Sequence, residues 1–251
     1  MPAPPETMLP LLALDTATES ITLGLQVGDR SQGGAWTRQA PGGAAASAQL
    51  VPLIHDLLRE AGVPMRAVRA VAFGQGPGAF TGLRTACSVA QGLGFGLGVP
   101  LLPLCSLMLV AEDARVQGSA LHDVAVAMDA RMDEVYAGRY RWLPERGSWA
   151  VLDSPALYTL PALAAAWGSL PPQQLAGSAL AAFGERLPLP AAWPRQPQEH
   201  DRPAALLRLA LQAAATQPGI DAAAALPLYL RDKVALTTRE REAARAATAT
   251  P

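Results

Sequence analysis

Lysine is almost missing from this chain. Of its 251 residues, 20 are basic, and Lys233 is the single lysine among them. A phosphate-binding loop of the Walker A type needs the sequence Gly-Lys-Ser or Gly-Lys-Thr, because the lysine reaches the phosphates. Lys233 stands in Arg-Asp-Lys-Val, so the sequence excludes a nucleotide site of that type.

Histidine and cysteine are also scarce. The three histidines are His55, His122 and His200, and no two of them lie one helical turn apart. Cys87 and Cys105 have apolar neighbours and lack the spacing of metal ligands. Metal sites need such ligands to converge on one ion, and catalytic thiols need a partner base. The sequence therefore predicts no metal, no cofactor, no catalytic residue, and two reduced thiols.

Long hydrophobic runs and a strong net charge are absent as well. The formal net charge is −1, so no broad electrostatic field attracts nucleic acid or a membrane surface. The apolar stretch from Val99 to Ala111 is too short to span a bilayer and is broken by Pro100 and Pro103. The first eight residues lack the basic charge of a signal peptide. We expect a cytoplasmic protein whose contact with nucleic acid is shared with another chain.

The pattern of apolar residues predicts an α/β fold. Strands are expected at 9–14, 20–27, 34–38, 68–73 and 100–104, and helices at 50–61, 81–97 and 106–115. Three strands in a meander, followed by alternating helices and strands, favour a mixed sheet with helices on its faces. This order is typical of the ribonuclease-H-like unit that actin, Hsp70 and the sugar kinases share.

An internal repeat indicates that this unit is duplicated. The segment LLALDTATESITLGL, which begins at Leu11, aligns with VAMDARMDEVYAGRY when Asp15 is placed on Asp129. Each segment has an apolar strand, the aspartate, a second acid four residues later, and an alternating strand with a glycine. In a duplicated fold of this kind, the first hairpin of each half brings its aspartate to a central cleft.

The repeat also suggests where the two halves divide. We expect residues 1–105 to form the first lobe and residues 106–232 a second, smaller lobe. A helix predicted at 204–216 could return to pack on the first lobe. Residues 233–251 are charged and rich in alanine, and we expect them to form a mobile tail.

The strongest local motif is GQGPGAFTGLR at positions 74–84. A strand ends there, four glycines follow one another closely, and a helix begins near Thr81. Free amides at such a helix start can hold a phosphate, so Gly76 and Gly78 are candidate ligands of a nucleotide. A tight turn between strand and helix is the simpler alternative. Arg84 could grip an anion or a partner's carboxylate, or remain a solvated residue of the helix.

Other residues that could bind a nucleotide in the cleft are Asp15, Thr16 and Asp129. In an active member of the fold, such aspartates position the metal and the water. The alternative is that each aspartate stabilises its own turn through hydrogen bonds to the backbone. Asp15 is followed by Thr-Ala-Thr, without the glycines that let phosphates approach.

The glycine motif resembles the GRGPGSFTGLR signature of the TsaB (YeaZ) family of bacterial tRNA threonylcarbamoyladenosine biosynthesis proteins. LLALDTATES is similar to the opening strand and turn of that family, and MDARMDEVY to its DARRGEVY segment. Pro227–Arg231 is similar to its PxYLR sequence. The resemblance covers roughly residues 8–232, with the motifs in the family's order.

The resemblance implies a duplicated actin-like fold without catalytic activity of its own. Members of the family pair with the related catalytic subunit TsaD, and the ATPase TsaE joins them. The complex modifies the adenosine beside the anticodon, so tRNA is reached only through the complex. Pairing uses two helices of the first lobe, and a homodimer can form through the same surface. The candidate interface residues here are Leu50, Leu53, Ile54, Leu57, Arg84, Cys87 and Ala90.

Two segments depart from the family's pattern. The first long helix opens with Ala46-Ser47-Ala48 where many relatives have His-Ser-Glu, although Ser47 could still cap the helix. The second departure is a run with glycine at 92, 94, 96 and 98, where relatives have mostly alanine. Each glycine weakens a helix by about 1 kcal/mol relative to alanine. Either the helix ends early, or a neighbouring backbone packs closely against it.

Two enzymatic alternatives remain. One is an actin-like ATPase or kinase with a working cleft, and the other is a glycoprotease-like peptidase of the wider family. The absence of glycines after Asp15 weighs against the first alternative, and the absence of a histidine pair weighs against both.

Overall fold

The computed structural model describes residues 5–28, 33–117, 122–169 and 171–231, and its first lobe is built on a five-stranded mixed sheet. The strands are β1 (Leu11–Asp15), β2 (Ser20–Gln26), β3 (Ala35–Pro41), β4 (Ala70–Gly76) and β5 (Leu101–Cys105). Their order is β3-β2-β1-β4-β5; the first three are antiparallel, and β4 and β5 run parallel to β1. The helices α1 (Ala46–Glu60) and α2 (Phe80–Leu97) cover one face.

The second sheet repeats the first. Its strands are β6 (Asp123–Asp129), β7 (Glu134–Leu143), β8 (Ser148–Thr159), β9 (Gln174–Ala176) and β10 (Arg195–Gln196). Their order is β8-β7-β6-β9-β10. Strands β6, β7 and β8 form an antiparallel meander, and β9 and β10 run parallel to β6, which is the topology of the first sheet. Asp15 and Asp129 are the last residues of equivalent strands, so the predicted duplicated α/β fold is confirmed.

Four more helices complete the fold. They are α3 (Ser106–Gln117), α4 (Leu160–Trp167), α5 (Ala179–Phe183) and α6 (Arg202–Thr216). α6 lies on the free face of the first sheet, where Leu206 and Ala210 pack with Leu11 and Ala13. β1 is therefore buried on both faces, as its uninterrupted apolar run predicts. This is the return packing that the sequence allowed for the helix at 204–216.

α3 joins the two lobes. It packs beside α6 and also against the second sheet, where Val110 and Ala114 share a core with Val124, Val126 and Tyr140. Among the helices that the structure describes, none is both long enough and apolar enough to cross a bilayer. The mobile tail expected at 233–251 lies outside the described residues.

The start of α1 differs from the prediction. The helix follows a short 3-10 turn, Gly43–Ala45, and its N-cap position is Ala45 without any side-chain cap. Ser47 lies inside the first turn, so its predicted role as the cap is wrong. The preceding 3-10 turn continues directly into the helix, which places the helix start before Ser47.

The glycine-rich end of α2 remains helical. The helix runs to Leu97 and stops at Gly98, whose φ of +67° is the left-handed conformation that glycine favours. A Cβ at Gly94 would lie 2.9 Å from the Cβ of Ala222, so close packing explains that glycine. A Cβ at Gly92 or Gly96 would meet nothing within 4 Å. These two glycines leave an exposed face of bare helix.

Candidate functional site between the lobes

A cleft of about 610 Å³ separates the two lobes. Its walls are the loops after β1 and β6, the loop between β4 and α2, and the start of α3. The segment 228–231 lies along its mouth. The equivalent strand ends of the two lobes therefore face a common space, as the repeat predicts.

Asp15 is fully buried, and both oxygens of its carboxylate accept hydrogen bonds from the chain itself. Its Oδ1 accepts a hydrogen bond from Arg202 at 2.9 Å, and its Oδ2 accepts one from Ser106 Oγ at 2.7 Å. The amide of Ala17 lies 3.2 Å from Oδ1. A Cβ at Gly74 would overlap the carboxylate, so the strand beside it closes the remaining side. Each oxygen of the Asp15 carboxylate is therefore already bonded to another part of the chain in this arrangement.

Arg202 is the residue that the sequence analysis missed. It is 3% exposed, and its second ion pair joins it to Glu199 at 2.6 Å. Burial lowers the pKa of the Arg202 guanidinium, but the charges of Glu199 and Asp15 outweigh burial and raise that pKa above its ordinary value. The side chain therefore stays charged. Arg202 and Asp15 are 187 residues apart in the chain, so no local sequence pattern predicts their contact.

The glycine loop packs against the turn that follows Asp15. Thr16 Oγ1 donates to the carbonyl of Gly82 at 2.6 Å, and the amide of Ala79 donates to the carbonyl of Ala17 at 2.8 Å. A Cβ at Gly78 would overlap the carbonyl of Ala17, and a Cβ at Gly82 would overlap the carbonyl of Thr16. The glycines thus allow two separate backbone segments to approach each other closely.

The five candidate nucleotide ligands are not all at the cleft. Gly78 and Asp129 line it, whereas Asp15, Thr16 and Gly76 lie behind its wall. Gly76 has a φ of +116°, and a Cβ there would lie 2.9 Å from Leu83 Cδ1, so the local backbone requires a glycine. The structure therefore brings only two of the five to the open space.

Asp129 stabilises its own turn. Its Oδ1 accepts from the amide of Arg131 at 2.8 Å, and its Oδ2 lies 3.3 Å from the Arg131 guanidinium. Its amide donates to Ser178 Oγ at 3.1 Å. These bonds are those expected if the aspartate stabilises its own turn. Asp129 also lines the cleft.

The positive charges of the cleft are already paired. The arginines that line it are Arg131, Arg202 and Arg231. Arg131 pairs with Asp129 and with Glu19, and Arg231 pairs with Glu134 at 2.7 Å. Arg202 pairs with two carboxylates, as above. The described lining thus offers no unpaired cation to a polyphosphate. Within the described part of the chain, no three His, Cys, Asp or Glu residues are grouped as a metal site.

Most of the residues expected to contact a partner are core residues of the first lobe. Buried side chains are found at Leu50, Ile54, Leu57, Cys87 and Ala90. They lie in one cluster between α1, α2 and the first sheet. The interface prediction is wrong for these five side chains, because they pack inside their own lobe and are not exposed to a partner.

The other two residues of that prediction are more accessible. Leu53 is half-buried at the edge of the same cluster. Arg84 is exposed, but its Nε donates to Tyr229 Oη at 2.9 Å and its guanidinium lies 3.8 Å from the centre of the Phe80 ring. Large apolar side chains are exposed on these two helices at Val51 and Phe95.

Comparison with known proteins identifies the family. Residues 41–200 match the family of "TsaD: tRNA N6-adenosine threonylcarbamoyltransferase". The structure of YeaZ from Pseudomonas aeruginosa is 38% identical, with a TM-score of 0.75, and the match covers 88% of this chain and 99% of that one. The chain belongs to the TsaB/YeaZ family.

Curated TsaB proteins align over a shorter stretch. TsaB of Haemophilus influenzae is 37% identical over 129 residues, which is 51% of this chain and 52% of that protein. TsaB of Escherichia coli is 34% identical over 139 residues, 55% of this chain and 58% of that protein. The alignments thus span little more than half the length of these TsaB proteins.

The four sequence segments of the TsaB/YeaZ resemblance meet at the cleft. The glycine loop packs on the Asp-Thr turn, and the C-terminal Pro227–Arg231 segment contacts both that loop and the turn after Asp129. The sequence left two alternatives for the glycine loop and the two aspartates, ligand binding or a structural role in their own turns. In this TsaB/YeaZ chain, the same residues chiefly hold parts of the protein to one another.

Proposed function

We propose that the chain is a non-catalytic subunit in tRNA threonylcarbamoyladenosine biosynthesis. It pairs with a TsaD-type catalytic subunit in the cytoplasm, with TsaE joining the pair, and reaches tRNA only through that complex. The family relationship supports the pathway. The single observation that supports the absence of catalysis is the Asp15 carboxylate, which is buried and bonded to Arg202 and Ser106.

The charge balance of the cleft points the same way. An actin-like ATPase needs a carboxylate that can reach a metal-bound water, together with groups that neutralise phosphate. Here Asp15 has an arginine in place of a metal, and the arginines of the described lining face carboxylates. ATP carries several negative charges, and its phosphates would have to compete with these carboxylates for the arginines; breaking the buried pair of Arg202 with Asp15 would cost several kcal/mol, and breaking the exposed Arg131 pairs would cost less.

The exposed face of α2 is the proposed pairing surface. Ser88, Gly92 and Gly96 expose small side chains or bare backbone along it, and Phe95 is 66% exposed at its end. Small residues let another helix approach closely, and an exposed aromatic side chain is a common anchor of an interface. This surface replaces the buried residues of the sequence-based prediction on the same helix.

The test is size-exclusion chromatography with light scattering, on the chain alone and mixed with the TsaD of the same organism. We expect a one-to-one complex that is lost in Gly92→Arg, because the new side chain stands where the partner helix approaches. Gly92→Arg should leave the fold intact, since the position is open and arginine favours a helix over glycine.

Val151→Arg is the matched control. Val151 is a half-exposed apolar residue of β8 in the second lobe, away from α2, and the substitution should leave the complex unchanged. A complex that survives Gly92→Arg would refute the surface. No complex at all, even with TsaE and nucleotide, would refute the subunit role.

The enzymatic alternatives have their own test. An actin-like ATPase should hydrolyse ATP when purified alone, and a peptidase should cleave a general protein substrate. The subunit proposal expects neither activity above that of buffer, with or without Mg²⁺ or Zn²⁺. ATP turnover that disappears in Asp15→Asn would favour the ATPase instead.

A further inference from the structure

The segment Pro227–Arg231 crosses the mouth of the cleft without regular secondary structure. On the side of the first lobe, the amide of Leu228 donates to the carbonyl of Gln75 at 2.7 Å. The ring of Tyr229 lies 5.3 Å from that of Phe80, and its hydroxyl accepts from Arg84. Two successive residues of the segment are thus fixed to the glycine loop and to α2.

The end of the same segment is fixed to the second lobe. Arg231 Nη2 donates to the carbonyls of Ala130 and Arg131 at 2.9 and 3.3 Å. Its Nη1 forms an ion pair with Glu134 at 2.7 Å, and the side chain is 12% exposed. A charge-assisted pair that is largely shielded from water is stronger than a pair on the open surface.

The turn that Arg231 holds has an unusual backbone. Arg131, Met132 and Asp133 have φ values of 63°, 57° and 56°, so three consecutive residues with side chains are left-handed. Each such residue costs on the order of 1 kcal/mol or more, and the conformation persists only where the surroundings impose it. Arg231 adds to that constraint from outside the hairpin, because it binds the two carbonyls at the start of the turn and the carboxylate just after it, while Asp129 Oδ1 accepts from the Arg131 amide within the turn.

The other ion pair across the mouth is weaker. Arg131 lies 3.3 Å from Glu19, and both side chains are about three-quarters exposed. The buried pair of Arg202 with Asp15 does not tie the lobes in the same way, since α6 packs on the sheet that carries Asp15. Closure at the mouth therefore depends mainly on the 227–231 segment.

We propose that residues 227–231 form a strap that holds the two lobes together at the mouth of the cleft. The strap has an anchor on each side, Tyr229 on the first lobe and Arg231 on the second. Together with the bonds inside the β6–β7 hairpin, it stabilises the left-handed turn at 131–133, and its release widens the cleft and loosens that turn. The inference concerns the chain alone and does not rest on the proposed pairing.

Hydrogen exchange followed by mass spectrometry on the full chain tests the strap. In Arg231→Ala, we expect exchange to become about tenfold faster or more in the turn at 129–135 and also in the glycine loop at 75–83. The second change is the informative one, since Arg231 does not touch that loop. In Tyr229→Ala, we expect the reciprocal effect, faster exchange in the turn, although the structure shows no bond from Tyr229 to it.

Arg186→Ala is the matched control. It removes an exposed ion pair of 2.9 Å to Asp133, on the same turn but within the second lobe. The glycine loop should then exchange as in the parent chain. Strands β1 and β6 should stay protected in all three variants, which separates opening from global unfolding. Unchanged exchange at 75–83 in Arg231→Ala, or at 129–135 in Tyr229→Ala, overturns the strap.

Discussion

Arg202 and Asp15 stand 187 residues apart in the chain and meet at 2.9 Å beneath the floor of the cleft. Both side chains are almost completely buried. An arginine bonds one oxygen of the Asp15 carboxylate and a serine hydroxyl bonds the other, so the buried charge is compensated by the fold itself. The stability of the fold should therefore depend on this pair.

Replacing Arg202 with Gln should destabilise the protein by about 3–5 kcal/mol, because it leaves the fully buried Asp15 and the partly buried Glu199 without this counter-charge. Urea unfolding at neutral pH measures the change. Arg59→Gln removes a surface pair with Asp56 and should cost less than about 1 kcal/mol. Equal losses in the two variants would contradict the structural role of Arg202.

Glycines at two kinds of position should respond in opposite ways to alanine. Gly82→Ala should cost about 1–3 kcal/mol or more, because a Cβ there overlaps the carbonyl of Thr16, which is backbone and cannot move aside cheaply. Gly96→Ala should stabilise the fold by about 0.5–1 kcal/mol, since its Cβ would meet open space on a helix. Thermal unfolding of the two variants compares them directly, and a shift of the same sign in both would be contrary to the geometry.

Stability should fall on the alkaline side. Burial raises the pKa of the Tyr140 phenol and of the Cys105 thiol, whose Sγ lies 3.4 Å from the Tyr140 oxygen. Both groups lose protons more readily in the unfolded chain, so their contribution is complete below about pH 8 and decreases as the pH rises above about 9.

Denaturant unfolding from pH 7 to pH 10.5 checks this loss. Tyr140→Phe removes one of the two groups and should flatten the alkaline decline relative to the parent chain. Tyr136→Phe, at a less buried tyrosine of the same strand, is the comparison. A decline of unchanged steepness in Tyr140→Phe would show that Tyr140 does not contribute.

Both thiols should react slowly with alkylating reagents. Burial raises the pKa of Cys87, as it does that of Cys105, so little of either thiol is present as thiolate at pH 8. We expect iodoacetamide to label the folded chain at least about tenfold more slowly than the chain in urea. Rapid labelling of Cys87 in the folded state would mean that the packing of α2 on the first sheet opens readily.

More of the fold than of the candidate site could be predicted from the sequence. Asp15 and Asp129 could be aligned because strand alternation and turn residues are local signals, and each lobe repeats them. Arg202 gave no such signal, since a salt bridge between distant segments depends on how α6 folds back. The pattern of apolar and turn residues predicts the fold class, but it does not predict the ion pair that neutralises Asp15.

The helix residues show a different limit. Leu50, Ile54 and Leu57 form an apolar stripe, and a stripe of that period looks the same whether it faces the lobe's own sheet or a partner. Only the packing of α1 on the first sheet decides between them. The glycine loop is a similar case, because a close approach to phosphate and a close approach to the chain's own backbone require the same residue.

The cation that neutralises Asp15 is covalently part of the chain. A dissociable ion stabilises a protein only to the extent that its concentration exceeds its dissociation constant. Arg202 cannot be diluted, chelated or exchanged. The arrangement beneath the cleft is therefore established when the chain folds, and it persists whatever the surrounding supply of divalent metal.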